Sequence, residues 1–177
     1  ESLGANSSTA VTSTITIAPI NDAPVVTAGA TLAYTENSDP AAIDNTITIS
    51  DVDDIEMSGS TVTISSGFTT GDVLTLSSQN GISGTFDSSI GVLTVTGTAS
   101  KENYQTALRS ITYNSTSEDP TITAGSRTVS WTVTDANSDG AGASTSIGVT
   151  STINLTALSD APVVTAGATL AYTENSD

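Results

Sequence analysis

"RTVSWTVTD", residues 127–135, decides the fold. Val129, Trp131 and Val133 fall on one side of an extended chain, and Thr128, Ser130, Thr132 and Thr134 on the other. A period of two marks a half-buried β-strand, and Val and Thr are β-branched residues that suit a pleated surface. The same alternation of apolar and hydroxyl side chains runs through "TITIS" (46–50), "TVTIS" (61–65), "VLTLS" (73–77), "VLTVTGT" (92–98) and "TSTINLT" (150–156). Turn signals separate these runs: Asn80-Gly81 after one strand, and Gly59, Gly71, Gly91 and Gly125 elsewhere. Strands at this spacing predict an all-β chain folded as an antiparallel Greek-key β-sandwich.

One segment breaks the period. "SKENYQTALRSITY" (100–113) places Tyr104, Ala107, Leu108 and Ile111 at helical spacing behind Ser100, a side chain suited to an N-cap, so one short helix is expected there, plugging an end of the sandwich. Aromatic residues make up 4% of the chain. With so few, Trp131, Tyr113, Phe68 and Phe86 are assigned to the core rather than to a sugar-binding platform.

Composition narrows the chemistry. Ser and Thr are about a third of the residues, and there is neither Cys nor His. Thiol nucleophiles, disulfides, imidazole bases and the usual zinc sites are thereby excluded, and an enzyme is not expected. Three basic residues, Lys101, Arg109 and Arg127, face 19 carboxylates, for a net charge of -16. Such a chain repels nucleic acid and anionic lipid. It holds no apolar run long enough to span a bilayer, so neither nucleic acid nor direct membrane insertion is expected.

The carboxylates gather where strands end. Glu36 and Asp39 lie in "TENSD", Asp51, Asp53, Asp54 and Glu56 in "SDVDDIE", Asp135 and Asp139 in "TDANSDG", and Asp22 and Asp160 at the two repeat joins. Clustered carboxylates raise one another's pKa or recruit a cation. Oxygen ligands without nitrogen or sulfur point to calcium more than to magnesium. Asp135, Asn137, Asp139 and Gly140 read D-x-N-x-D-G, the first half of a calcium loop. Ser146 stands where an EF-hand needs Glu, so this is no EF-hand, and a solvated Asp- and Asn-rich turn is the alternative.

Residues 22–39 recur unchanged as residues 160–177, an offset of 138, and "VTSTITIAPI" (11–20) faces "VTSTINLTAL" (149–158). A fixed long period means one structural unit stacked many times. The expected organisation is the last strand of a preceding repeat in 1–21, a complete repeat in 22–159 and the first strand of a following repeat in 160–177, a window on a longer array.

In order, these motifs resemble those of a cadherin-type repeat of the kind found in tandem along large bacterial surface and secreted proteins. "YTENS" is similar to the family's early Glu-Asn motif, "ITISDVDD" to its D-x-D motif, "WTVTDANSDG" to its Asp loop before the last strand, and "APINDAPVV" and "TALSDAPVV" to its linker. The resemblance covers residues 22–160. It implies a cadherin-like sandwich with calcium held between successive domains by Asn21, Asp22, Asp51, Asp53 and Asp135 at the upper end, and by Glu36 and Asp160 at the lower. Asp54, Asn137 and Asp139 extend the upper set, and Glu102 is the candidate for the family's remaining acidic motif. The second linker carries Ser159 where the first has Asn21. The function so implied is a calcium-stiffened extender of an extracellular bacterial adhesin or surface filament, secreted or attached to the cell, with neighbouring repeats as partners. The alternative is a module that binds polysaccharide or a sister chain through exposed strand edges.

Overall fold

The computed structural model describes residues 4, 7–138, 140–169, 171 and 174. Among the described residues, eleven strands and one helix form a β-sandwich: β1 (Val25–Thr27), β2 (Thr31–Thr35), β3 (Ala41–Ala42), β4 (Thr48–Ser50), β5 (Glu56–Ser66), β6 (Asp72–Thr75), β7 (Ser83–Asp87), β8 (Val92–Ser100), α1 (Lys101–Arg109), β9 (Thr112–Ser115), β10 (Ser126–Asp135) and β11 (Val149–Thr156). Six strands form one layer in the order β2-β11-β10-β5-β8-β7. The facing layer holds β3-β9-β6, the pair β1-β4 and α1.

Alternation builds the core as the sequence predicts. Arg127, Val129, Trp131, Val133 and Asp135 of β10 are all fully buried, and the hydroxyl residues between them are not. From β5, β8 and β11 the inward residues are Val62, Ile64, Leu93, Val95 and Ile153. Each side chain of this size stabilises the fold by about 1.5–3 kcal/mol when removed from water. Trp131 keeps its polar edge satisfied by donating Nε1–H to Ser151 Oγ at 3.0 Å. Phe68 and Phe86 are only partly buried at the margin of the core.

The outer face of the larger sheet carries the opposite set. Thr85, Thr94, Thr61 and Thr132 stand in register across four adjacent strands, so hydroxyls line the solvent side. The strand pairs are antiparallel with one exception: β2 runs parallel to β11, Thr31 beside Thr152 through Thr35 beside Thr156. The first strand is split to allow this. β1 pairs with β4, the chain bends through residues 28–30, and β2 continues in the other sheet.

Asp44 holds the bend. Its carboxylate is 1% exposed and accepts from the N–H groups of Gly29 and Ala30, from Thr46 N–H and Oγ–H, and from Ser151 Oγ–H, at 2.6–2.9 Å. Burial works to raise its pKa, but the bonds from Thr46, Gly29, Ser151 and Ala30 outweigh that and hold it far below the usual carboxylate range.

Helix α1 forms as expected, with Ser100 as N-cap accepting from Asn103 N–H at 3.3 Å, and with Tyr104, Ala107 and Leu108 buried. Its polar side chains close the free edge of β4: Gln105 Oε1 accepts from Ile49 N–H at 3.0 Å, and Arg109 Nε donates to the Ile47 carbonyl at 2.7 Å. An edge strand that would otherwise offer unpaired backbone is thus covered. Gly97 is indispensable beside it. With φ of 119°, a Cβ there would sit 2.1 Å from the Gly81 carbonyl oxygen.

Residues 149–156 form β11 because β10 and β2 flank them. The matching residues 11–18 have no such neighbours among the described residues and form no strand; residues 161–169 likewise form none, although residues 25–27 with the same sequence form β1.

Candidate metal centre

Strand direction sorts the acids to two ends. β4 rises to Ser50, β10 rises to Asp135 and β8 rises to Ser100, which stands beside Glu56 at the start of β5. Asp51, Asp53, Asp54 and Asp135 therefore share the upper end, where the chain also enters through Asn21 and Asp22.

A tight turn presents the first three. Asp51 Oδ1 accepts from the N–H groups of Asp53 (3.1 Å) and Asp54 (2.8 Å), which folds the loop back on itself. Beneath it Lys101, the only lysine, donates Nζ–H to the carbonyls of Asp51 and Asp54, each at 2.8 Å. Two backbone carbonyls of the loop are thereby tied down. Carboxylate oxygens of Asp51, Asp53 and Asp54 come within 4.8 Å of one another. Asp54 is fully buried, and its Oδ1 accepts from Ser138 N–H and Oγ–H.

Asp135 is inward-facing because it continues the core phase of β10. It accepts from Ser144 N–H at 3.0 Å. The linker reaches both acidic elements: Asn21 Nδ2 donates to Asp135 Oδ2 at 3.1 Å, and Asp22 N–H donates to Asp53 Oδ2 at 2.8 Å. Burial raises the pKa of Asp51, with the Asp53 carboxylate adding to the rise; the Asp22 N–H instead holds Asp53 below its ordinary value.

What these hydrogen bonds leave over is the informative part. Among the described residues, five buried side-chain polar atoms lack a partner: Asn21 Oδ1, Asp51 Oδ2, Asp53 Oδ1, Asp54 Oδ2 and Glu36 Oε1. All are oxygens, four belong to the upper end, and no donor faces them. Buried unsatisfied oxygens are costly unless something positive meets them. The donor set therefore fits a hard cation, and these acidic groups could hold a metal ion.

The lower end repeats the pattern with fewer residues. Glu36 is 2% exposed; its Oε2 accepts from Leu158 N–H at 2.7 Å, while its carboxylate lies within 4.8 Å of Glu118 and Asp160. A buried polar chain sets this geometry. Tyr34 Oη donates to the Ser38 carbonyl on the Glu36 turn and accepts from Ser115 N–H. Tyr113 Oη donates to Asp72 Oδ1 at 2.6 Å, Arg127 pairs with Asp72 at 2.6 Å, and Arg127 also donates to the Pro120 carbonyl in the loop that carries Glu118.

The remaining candidates stand apart. Asn137 is exposed with a left-handed φ of 56°, and its Oδ1 accepts from Gly142 N–H at 2.5 Å, so its side chain closes its own loop. Asp139 lies outside the described residues. Glu102 is exposed in the first turn of α1, where its own N–H and then Ser100 lower its pKa, and it does not join the Asp51 group. Sequence reasoning missed Glu118, Ser138 and Lys101. Following strand direction through β9 would have carried "SEDP" (117–120) to the lower end and found Glu118. Nothing in the sequence marks Ser138, and a lone lysine carries no signal of its partners.

No protein-family profile matches the chain. In an alignment of 108 positions that covers 58% of the chain, it is 35% identical to halomucin of Haloquadratum walsbyi, and it spans only 1% of that protein. Among the described residues no helix is long and apolar enough to cross a membrane.

Proposed function

We propose that the chain is part of a tandem array of calcium-stiffened, cadherin-like extender units in a long extracellular protein, a bacterial adhesin or surface filament, with neighbouring repeats as its partners. The observation that carries this reading is the set of four unpartnered oxygens at Asn21, Asp51, Asp53 and Asp54. Similarity to a stretch amounting to 1% of halomucin supports a module carried within a very long chain.

The repeat lets the joint be assembled. Asp160 takes, for the following unit, the place that Asp22 holds here. Glu36 and Glu118 of one unit, and Asp51, Asp53, Asp54 and Asp135 of the next, thus face a single short linker. Without cation these carboxylates repel and the units bend apart. Calcium takes roughly six to eight oxygens and tolerates irregular geometry, so it draws both halves around shared ions and fixes their angle. Magnesium demands a stricter octahedron and releases water reluctantly, so it substitutes poorly.

A two-unit chain tests this. Because residues 160–177 repeat 22–39, appending residues 40–159 after Asp177 completes a second unit in register. Small-angle scattering should give a rod in millimolar calcium and a bent, broad ensemble in chelator. Identical curves in both conditions would end the calcium reading.

The second reading, a module that binds polysaccharide or a sister chain, is favoured by the uncharged Thr85–Thr94–Thr61–Thr132 row on a chain of net charge -16. Specific signals on a glycan array would support it; an extender should give none.

A further inference from the structure

We infer that the two joints of this chain are unequal, and that the one built on Ala157–Asp160 is the weaker calcium site and the softer hinge. The inference rests on the calcium reading above and concerns how it varies along the array.

Asn21 does two things at once. Its Nδ2–H reaches Asp135 Oδ2, tying the linker to the last acidic strand end, and its Oδ1 is left buried beside the acids without a donor. One planar amide therefore anchors the linker and supplies a neutral oxygen ligand. In the second linker this position is Ser159. A serine side chain is one bond shorter and has a single oxygen, so it cannot span to the equivalent of Asp135 and also present a carbonyl oxygen to the ion. The ligand count falls, and so does the tie between linker and unit.

A second difference acts in the same direction. Pro19 precedes Asn21 by two residues, whereas Ala157 precedes Ser159. Proline fixes φ and removes conformations from the linker before any ion binds; alanine restores them. From Asp22 and Asp160 onward the two runs are identical through Asp39 and Asp177, so the charged residues of that run do not distinguish the joints. Ala157 and Ser159 are both exposed, and exchanging them disturbs no core contact. An array that alternated such linkers would stiffen in two steps as calcium rises.

The two-unit chain described above joins its units through Ala157–Asp160. It would be compared with its S159N, A157P and doubly substituted forms, each carrying one spin label per unit, during calcium titration. S159N should lower the calcium midpoint of joint closure by roughly tenfold. A157P should narrow the inter-unit distance distribution in chelator and leave the midpoint nearly unmoved. Closure of parent and S159N at one midpoint would overturn the inference while leaving the calcium reading intact. Failure of every form to close in calcium would overturn both.

Discussion

Replacing Asp54 by Asn should make the protein more stable without calcium and less responsive to it. The substitution is isosteric: Oδ1 remains to accept from Ser138, and an NH2 group takes the place of the unpartnered Oδ2. In chelator the parent holds the Asp51 and Asp54 carboxylates within 4.8 Å of each other. Repulsion at that distance is about 1 kcal/mol in water and about 3.5 kcal/mol at an effective dielectric of roughly 20. Asp51 is half-buried, so relief of about 1–2 kcal/mol is expected, with the new amide donating to a neighbouring oxygen. For a unit of this size that is a rise in melting temperature of roughly 2–8 °C. Calcium at about 100 times its Kd should stabilise the parent by about 2.7 kcal/mol, and most of that increment should vanish in D54N. Calorimetry in chelator and in calcium would therefore give an inverted order of stability. If D54N melts lower than the parent by the same amount in both conditions, the carboxylate is only a hydrogen-bond acceptor for Ser138, and the unpartnered oxygen is not waiting for a cation.

Two further substitutions address the frame that holds the sites. Asp44→Asn should cost about 2–4 kcal/mol at neutral pH, because an amide cannot accept the full set of donors at the Gly29–Ala30 bend. Since the folded state depresses Asp44's pKa, its contribution is complete above about pH 4, the unfolded value, and fades as pH falls toward the folded one. The gap between parent and variant in denaturant melts should therefore shrink in acid, and a constant gap would contradict the assignment. Arg127→Met leaves Asp72 charged and buried, and should cost about 3–5 kcal/mol, whereas loss under about 1 kcal/mol would show that Tyr113 and Thr69 suffice to hold that carboxylate.

The long strands were legible because one face of each is buried. β8, β10 and β11 alternate along their length and β5 does so from Ser60 to Ile64, while α1 carries its cap and its apolar spacing within one short stretch of sequence. Of the short elements, β4 and β6 were legible in "TITIS" and "VLTLS", whereas β3 and β7 were not. β3 is two residues of alanine, and β7 runs Ser-Gly-Thr-Phe-Asp at a sheet edge where little is buried. The split of the first strand hides too, since "VVTAGATLAYT" (25–35) gives no sign that residues 28–30 change sheets; that depends on Asp44, outside the stretch. Of the site, Asp51, Asp53 and Asp54 were readable as neighbours, and Asp22, Asn21 and Asp135 through motif order. Glu118 was not, because its approach to Glu36 depends on Arg127 and Tyr34 holding two loops from below.

The parallel pairing of β2 with β11 has a consequence for a chain under tension. In the array proposed above, a pull would enter the unit near Asp22 at one end and leave near Asp160 at the other, directed along these two strands. Backbone bonds between strands that are drawn past each other share the load and must give way together, whereas bonds at the tip of a hairpin peel one at a time. The five residue pairs from Thr31–Thr152 to Thr35–Thr156 therefore lie in shear between the point where force arrives and the point where it departs. Turned antiparallel, the same residues would form a zipper. As they stand they are a clasp: a pull that has passed the β1–β4 pairs must break all five together.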